Sequence, residues 1–162
     1  MYDTTMKKFL YIIALFSISL FQAQENIILK KNEITIPLGK KVILTPELEE
    51  RTIIGFKKVS EDKVMEKQDM LQILKNFKRS DVNDNTIEFT FSESEMMKSP
   101  IITLVTVQKT GKKMSFKAKI RLKGSPLYQP TSIVPAHSNV VSVEQWQDAI
   151  DSIFLYDFKL ED

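Results

Sequence analysis

The sequence predicts a mainly β protein, built as an antiparallel β-sandwich of the immunoglobulin-like or jelly-roll-like kind. Three observations support this fold class. Several short runs alternate between apolar and polar residues, turn-forming residues separate these runs, and a single segment has strong helical spacing. Alternation with a period of two turns one face of each strand toward a core and the other toward solvent, so the strands are expected to pack as facing sheets.

The chain begins with a segment that has the features of a secretory signal peptide. Lys7 and Lys8 precede an apolar run from Phe9 to Phe21, and Ala23 is a suitable small residue before a cleavage point. A membrane-spanning helix needs roughly 20 apolar residues, and this run is shorter. We therefore expect residues 1–23 to be removed, leaving no permanent membrane anchor. Residues 24–162 are predicted to form one exported domain, either periplasmic or extracellular.

Composition excludes several kinds of chemistry. The chain contains no cysteine, which rules out disulfides, thiolate zinc sites, thiol nucleophiles and a lipid-modified cysteine. Its formal net charge is +2, with 23 basic and 21 acidic residues. Such a balance gives no indication of a nucleic-acid partner, so we expect none.

The first strands follow the amino-terminal segment. Residues 33–36 alternate, Pro37–Lys40 has turn chemistry, and residues 41–45 resume the alternation, which together predict a hairpin. Residues 52–59 form another β-branched run. Residues 86–91 then alternate with Ile, Phe and Phe on one face, which predicts a further strand.

One segment between these strands has the pattern of a helix. In residues 68–78, the apolar residues Met70, Ile73, Leu74 and Phe77 recur at the spacing of one helical face. We expect this amphipathic helix to cover a sheet edge or an open end of the sandwich.

The clearest alternation in the chain follows a second turn. Residues 101–107 are apolar enough for a strand buried on both faces, Lys109–Lys113 reverses the chain, and residues 114–122 alternate. This predicts a hairpin. One face of its second strand is apolar and the other carries Lys117, Lys119, Arg121 and Lys123.

The last part of the chain changes character. Residues 125–139 contain three prolines and little periodicity, which predicts a long irregular connection. We expect the segment Gly124–Asn139 to form the main functional surface, because long loops on rigid sheets often bind ligands. Ser142 and Gln145 resemble a capping box, which predicts a short helix around residues 143–149. Residues 153–160 are predicted to form the final strand.

A candidate metal site lies between the predicted helix and the next strand. Residues 81–85 read Asp-Val-Asn-Asp-Asn, which resembles the calcium-binding linker motif of cadherin repeats. The resemblance covers these five residues and implies Asp81, Asn83 and Asn85 as oxygen ligands of calcium. The alternative is a turn without metal, because Asn and Asp clusters form turns by themselves. No other cofactor is expected.

Aromatic and basic residues supply the candidate ligand surface. Tyr128 and Trp146 are predicted to stack on a sugar ring, although the apolar spacing of Trp146 and Ile150 also suits a core position. The basic face of Lys117, Lys119 and Arg121 is predicted to attract an anionic partner such as an envelope polysaccharide or lipid phosphate, and its alternative is an ordinary solvated strand face.

The sequence therefore favours a small exported binding or accessory protein without catalytic activity. Its expected partner is an envelope protein or polysaccharide. The alternatives are a small secreted hydrolase, a carbohydrate-binding module with an unrecognised site, and a structural component of the envelope. The sequence assigns no catalytic residue.

Overall fold

A computed structural model describes residues 26–77 and 82–162 of the chain. The predicted signal peptide and Asp81 therefore lie outside the described residues. The described part is mainly antiparallel β-structure with one short helix, as the sequence predicts. Its elements are β1 (Ile28–Lys30), β2 (Glu33–Pro37), β3 (Lys40–Glu49), β4 (Thr52–Lys63), β5 (Gln68–Asp69), α1 (Met70–Asn76), β6 (Ile87–Met96), β7 (Ser99–Gln108), β8 (Lys113–Leu122), β9 (Tyr128–Thr131), β10 (Val141–Trp146) and β11 (Ile150–Glu161).

Strand pairing divides the structure into two antiparallel groups. The first sheet has the order β10-β7-β6-β3-β4, and the second has the order β1-β2-β11-β8-β9. A single pair, Thr52 with Lys159, joins β4 to β11, so the two groups are continuous with each other through this one link. The two groups face each other in a sandwich-like arrangement, because their inward residues belong to one hydrophobic cluster.

Three phenylalanines connect the two sheets through this core. Phe89 is on β6 of the first sheet, whereas Phe116 and Phe158 are on β8 and β11 of the second. The centroid of the Phe89 ring lies 5.7 Å from that of Phe116 and 6.2 Å from that of Phe158. The Phe116 and Phe158 rings stack at 5.2 Å. Such aromatic pairs contribute about 0.5–1.5 kcal/mol each beyond the area they bury.

Both hairpins predicted around turns are wrong, although their strands are present. β2 pairs with β1 and β11, and β3 pairs with β4 and β6, so the turn at Gly39 crosses from one sheet to the other. The turn at Gly111 does the same between β7 and β8. Both glycines have a φ of 80°, a conformation that favours glycine. Turn residues reverse the chain, but they do not determine which strand becomes the partner.

The predicted short helix around residues 143–149 is also wrong. Val141–Trp146 is strand β10, which pairs with β7 so that Val141 lies opposite Val107 and Val143 opposite Val105. β-branched side chains pack well on a pleated surface and lose rotamer freedom in a helix. Pairing with β7 therefore outweighs the local resemblance to a capping box.

The predicted amphipathic helix is confirmed over Met70–Asn76. Asp69 caps its beginning, because a carboxylate oxygen accepts a hydrogen bond of 2.9 Å from the backbone N–H of Leu71. Gln68 and Asp69, at the start of the predicted helix, form strand β5 instead. No helix in residues 26–77 or 82–162 has the length and hydropathy that a membrane crossing requires.

The final strand contains a β-bulge that keeps its apolar side chains inside. Ile153 and Leu155 point into the core before the bulge, and Phe158 and Leu160 do so after it. These two pairs are out of phase by one residue, so a regular strand cannot bury both. Asp157, with a φ of 57°, lies at the point where the pairing register shifts.

Candidate functional site

The outward face of the second sheet brings basic and aromatic side chains together. β8 has its apolar residues in the core and its basic residues on the opposite side. In the register of the sheet, Phe154 of β11 lies opposite Lys119, and Tyr128 of β9 lies opposite Arg121. We call this surface the aromatic–cationic face; it consists of Lys117, Lys119, Arg121, Tyr128, Phe154 and Tyr156.

Its three aromatic rings form a row across β9 and β11. The centroids of the Phe154 and Tyr156 rings are 5.3 Å apart and their planes differ by 18°. The Tyr128 ring meets the Phe154 ring at 6.1 Å and 60°. The three rings therefore form one continuous series of aromatic contacts on this face.

Two cations lie against this row. The Nζ atom of Lys119 is 5.3 Å from the centroid of the Tyr156 ring. The Cζ atom of Arg121 is 5.5 Å from the centroid of the Tyr128 ring. Both distances are within the range of cation–π attraction. Lys119 makes no ion pair with any residue of the described chain, so its charge is not neutralised by a carboxylate.

A hydrogen-bond network orients the Tyr128 end of the face. Arg121 Nε donates to Asp151 Oδ1 at 2.7 Å, and the same oxygen accepts from Ser152 Oγ at 2.8 Å. The hydroxyls of Ser152 and Tyr128 are 2.9 Å apart. These three hydrogen bonds hold the Tyr128 ring and the Arg121 guanidinium in fixed relative positions.

Lys117, at the other end of the face, has a carboxylate partner. Its Nζ atom lies 2.8 Å from Asp157 Oδ2. The hydrogen bond with Asp157, together with the attraction of the two charges, raises the pKa of Lys117. The same hydrogen bond lowers the pKa of Asp157 despite the opposing effect of partial burial. Lys117 therefore contributes less free positive charge than Lys119.

Trp146 does not join this face. Its ring meets that of Phe91 at 6.3 Å and 75°, and it packs against the hydrophobic core. The indole Nε1–H donates to Thr131 Oγ1 at 2.9 Å. Trp146 is therefore half-buried against the core, close to the position that the sequence allowed as the alternative to sugar stacking.

Asn83, a predicted calcium ligand, makes hydrogen bonds within the protein. Its Oδ1 atom accepts from Asn139 Nδ2 at 2.8 Å and from Ser138 Oγ at 3.4 Å. These donors connect the loop before β6 to the segment before β10. The oxygen that would face an ion is thus already paired with two protein donors.

Of the other two predicted calcium ligands, only Asn85 lies among the described residues. Asn85 adopts a left-handed conformation with a φ of 58°. Between the two asparagines, Asp84 Oδ1 accepts from the backbone N–H of Thr86 at 3.1 Å, which is a turn stabilised by an acidic side chain. Across residues 26–77 and 82–162, no three His, Cys, Asp or Glu residues come together as a metal site would require.

Sequence reasoning missed two members of the aromatic–cationic face, Phe154 and Tyr156. A signal for them existed. Ile153 and Leu155 alternate with these aromatics, and a strand that buries the aliphatic pair must turn the aromatic pair to the other side. What the sequence did not supply was the partner strand, since the pairing of β11 with β8 brings these rings to the basic residues.

No family model, curated protein or solved structure matches this chain. The candidate site is therefore defined by its own geometry.

Proposed function

We propose that the chain is an exported, non-catalytic binding protein of the cell envelope or extracellular space, and that its aromatic–cationic face binds an acidic polysaccharide. One observation supports this most: in the row of Tyr128, Phe154 and Tyr156, Arg121 lies over the Tyr128 ring and Lys119 over the Tyr156 ring. Export is supported by the amino-terminal sequence, in which two lysines precede a short apolar run.

The chemistry of the face favours a polymer with repeated negative charges. The Lys119 ammonium group attracts carboxylates and sulfates, whereas the Arg121 guanidinium is already paired with Asp151 at 2.7 Å. The face lies across three strands, β11, β8 and β9, and forms an open surface. An extended chain can lie along such a surface and contact several charges at once, whereas a small ligand would remain largely solvated.

The apolar part of each ring contributes as well. Sugar rings have C–H faces that pack against aromatic groups, so Phe154 and Tyr156 can hold the polymer while Lys119 selects for its charge. An acidic polysaccharide is therefore expected to bind more tightly than a neutral one. The difference is expected to shrink as salt screens the charges, with a Debye length of about 8 Å at physiological ionic strength.

Substitution of Lys119 tests this proposal. Affinity electrophoresis of residues 24–162 in gels containing polygalacturonate or dextran should show retardation by the acidic polymer. Lys119→Glu reverses a charge at the centre of the face, and we expect it to weaken binding by about tenfold, which corresponds to about 1.4 kcal/mol. Lys57→Glu is the matched control, because Lys57 is an exposed residue of β4 in the other sheet.

Equal retardation of the wild-type protein by dextran and polygalacturonate would contradict the proposal. Equal losses of affinity for the Lys119 and Lys57 variants would contradict it too, because the effect would then reflect total charge.

A further inference from the structure

A hollow of about 510 Å³ lies on the outward side of the first sheet, opposite to the proposed polysaccharide surface. Residues 64–77, here called the strap, cross over this side of the sheet and form one wall. Strands β3, β6, β7 and β10 form the floor. The volume is in the usual range for small-molecule sites, about 300–1,000 Å³.

Apolar residues line the hollow from both sides, among polar ones that include Thr90 on the sheet and Gln68 on the strap. Val105, Val107 and Val141 line it from the sheet, and Ile73 and Phe77 line it from the strap. Apolar surfaces in water normally close on one another, at about 25 cal/mol for each Å² removed from solvent. Here a ligand-sized space lies between Ile73 and Phe77 of the strap and the three valines of the sheet.

The attachments of the strap explain why the space stays open. Val64 donates its backbone N–H to Gly39 at 2.9 Å, and Gln68 pairs with Ser94 in the sheet. Met70, at the beginning of α1, is 3% exposed. These contacts fix the first half of the strap, whereas Ile73 and Phe77 in the second half are half-buried at the edge of the hollow.

Four charged residues, here called the rim, line the hollow and indicate how a ligand would be oriented: Lys41, Glu88, Lys63 and Glu66. Lys41 is paired with Glu88 at 2.9 Å. Lys63 also lines the hollow and makes no ion pair with any residue that the structure describes. Glu66 lies on the same rim and would repel an anion, so an anionic group would be placed on the Lys63 side.

We propose that this hollow binds a single-chain fatty acid, with its hydrocarbon chain on the valine floor and its carboxylate at Lys63. A fatty acid suits this site because apolar residues line both of its sides and Lys63, which has no ion-pair partner among the described residues, supplies a cation for the carboxylate. This site is separate from the aromatic–cationic face and does not depend on the function proposed for it.

Fluorescence of cis-parinaric acid tests the proposal. Titration of residues 24–162 with this probe should give saturable enhancement, and palmitate should displace the probe. Val107→Gln places a polar group on the floor of the hollow and is expected to lower probe affinity about tenfold. This corresponds to about 1.4 kcal/mol of binding free energy. Val143→Gln is the matched control, because Val143 neighbours Val105 across the β10–β7 pair but does not line the hollow.

The head group is tested by a second comparison. Lys63→Ala should weaken displacement by palmitate and leave displacement by hexadecanol unchanged, because the alcohol has no charge. Circular dichroism of the Val107→Gln, Val143→Gln and Lys63→Ala variants confirms that they are folded. The absence of saturable enhancement with the wild-type protein, or equal effects of the Val107 and Val143 variants, would overturn the proposal. A wild-type dimer that Val107→Gln dissociates in sedimentation would overturn it as well, because the hollow would then be an interface between two copies.

Discussion

Two buried serines, Ser92 and Ser152, differ in whether their hydroxyl groups are hydrogen-bonded. Ser92 is 1% exposed and its Oγ atom makes no hydrogen bond with the residues described. Ser152 is 0% exposed, and its Oγ atom bonds to both Tyr128 and Asp151. A buried hydroxyl without a partner costs stability, whereas one in a network contributes to it.

Alanine substitutions at the two serines should therefore have opposite effects. Ser92→Ala is expected to raise the free energy of unfolding by up to about 1 kcal/mol, because it removes an unpaired polar group. Ser152→Ala is expected to lower it by about 1–2 kcal/mol, because it leaves Tyr128 and Asp151 without a shared partner. Urea unfolding of both variants measures this, and equal losses of stability would show that the Ser92 hydroxyl is paired.

At the scale of single residues, the sequence was most informative where burial alternates. The basic side of β8 was predicted residue by residue, because a period of two leaves little freedom once one face is apolar. Trp146 could not be assigned, since an amphipathic aromatic suits a core and a binding surface equally well. Its contact with Phe91 depends on the neighbouring strand, which local sequence does not specify.

Among the elements, the turn between β6 and β7 has an unusual composition. Met97 and Lys98 connect the paired residues Met96 and Ser99, and their φ angles are 50° and 67°. Two-residue hairpin turns with positive φ at both positions prefer Asn-Gly. A left-handed conformation costs roughly 1–2 kcal/mol for residues with a Cβ atom, so this turn is strained at both positions.

Replacing the turn should stabilise the protein. The double variant Met97→Asn with Lys98→Gly is expected to raise the free energy of unfolding by about 1–2 kcal/mol, because both replacements tolerate positive φ. Lys98→Ala is the matched control and should give no gain, because alanine keeps the Cβ atom that causes the strain. Thermal or urea unfolding provides the measurement, and an unchanged double variant would mean that the turn is unstrained.

The elements also show where sequence reasoning reached its limit. Most of the longer strands and α1 were found from periodicity, but the partners of β2, β3, β7 and β8 were not. A turn that crosses between sheets contains the same Gly, Pro and Lys residues as a hairpin turn, so local chemistry cannot separate them. The hollow beside the strap was not predicted for the same reason. It depends on how α1 packs against the sheet, which local sequence does not specify.

At the scale of the whole molecule, the two sheets have different outward faces. The second sheet carries the aromatic–cationic face, and the first sheet carries the strap and its apolar hollow. The net charge of +2 gave no hint of this asymmetry, because a sum over the whole chain does not show where its charges lie. The local charge that remains at Lys119 is what the proposed function uses.

Mapping the polysaccharide surface by NMR tests this asymmetry most directly. ¹⁵N-labelled residues 24–162 would be titrated with oligogalacturonate at low and high salt. We expect amide shifts concentrated on β8, β9 and β11 around Lys119, Tyr128 and Phe154, and we expect them to decrease as salt increases. Shifts concentrated on the first sheet, or no shifts at any salt concentration, would contradict the proposal that the aromatic–cationic face binds an acidic polysaccharide.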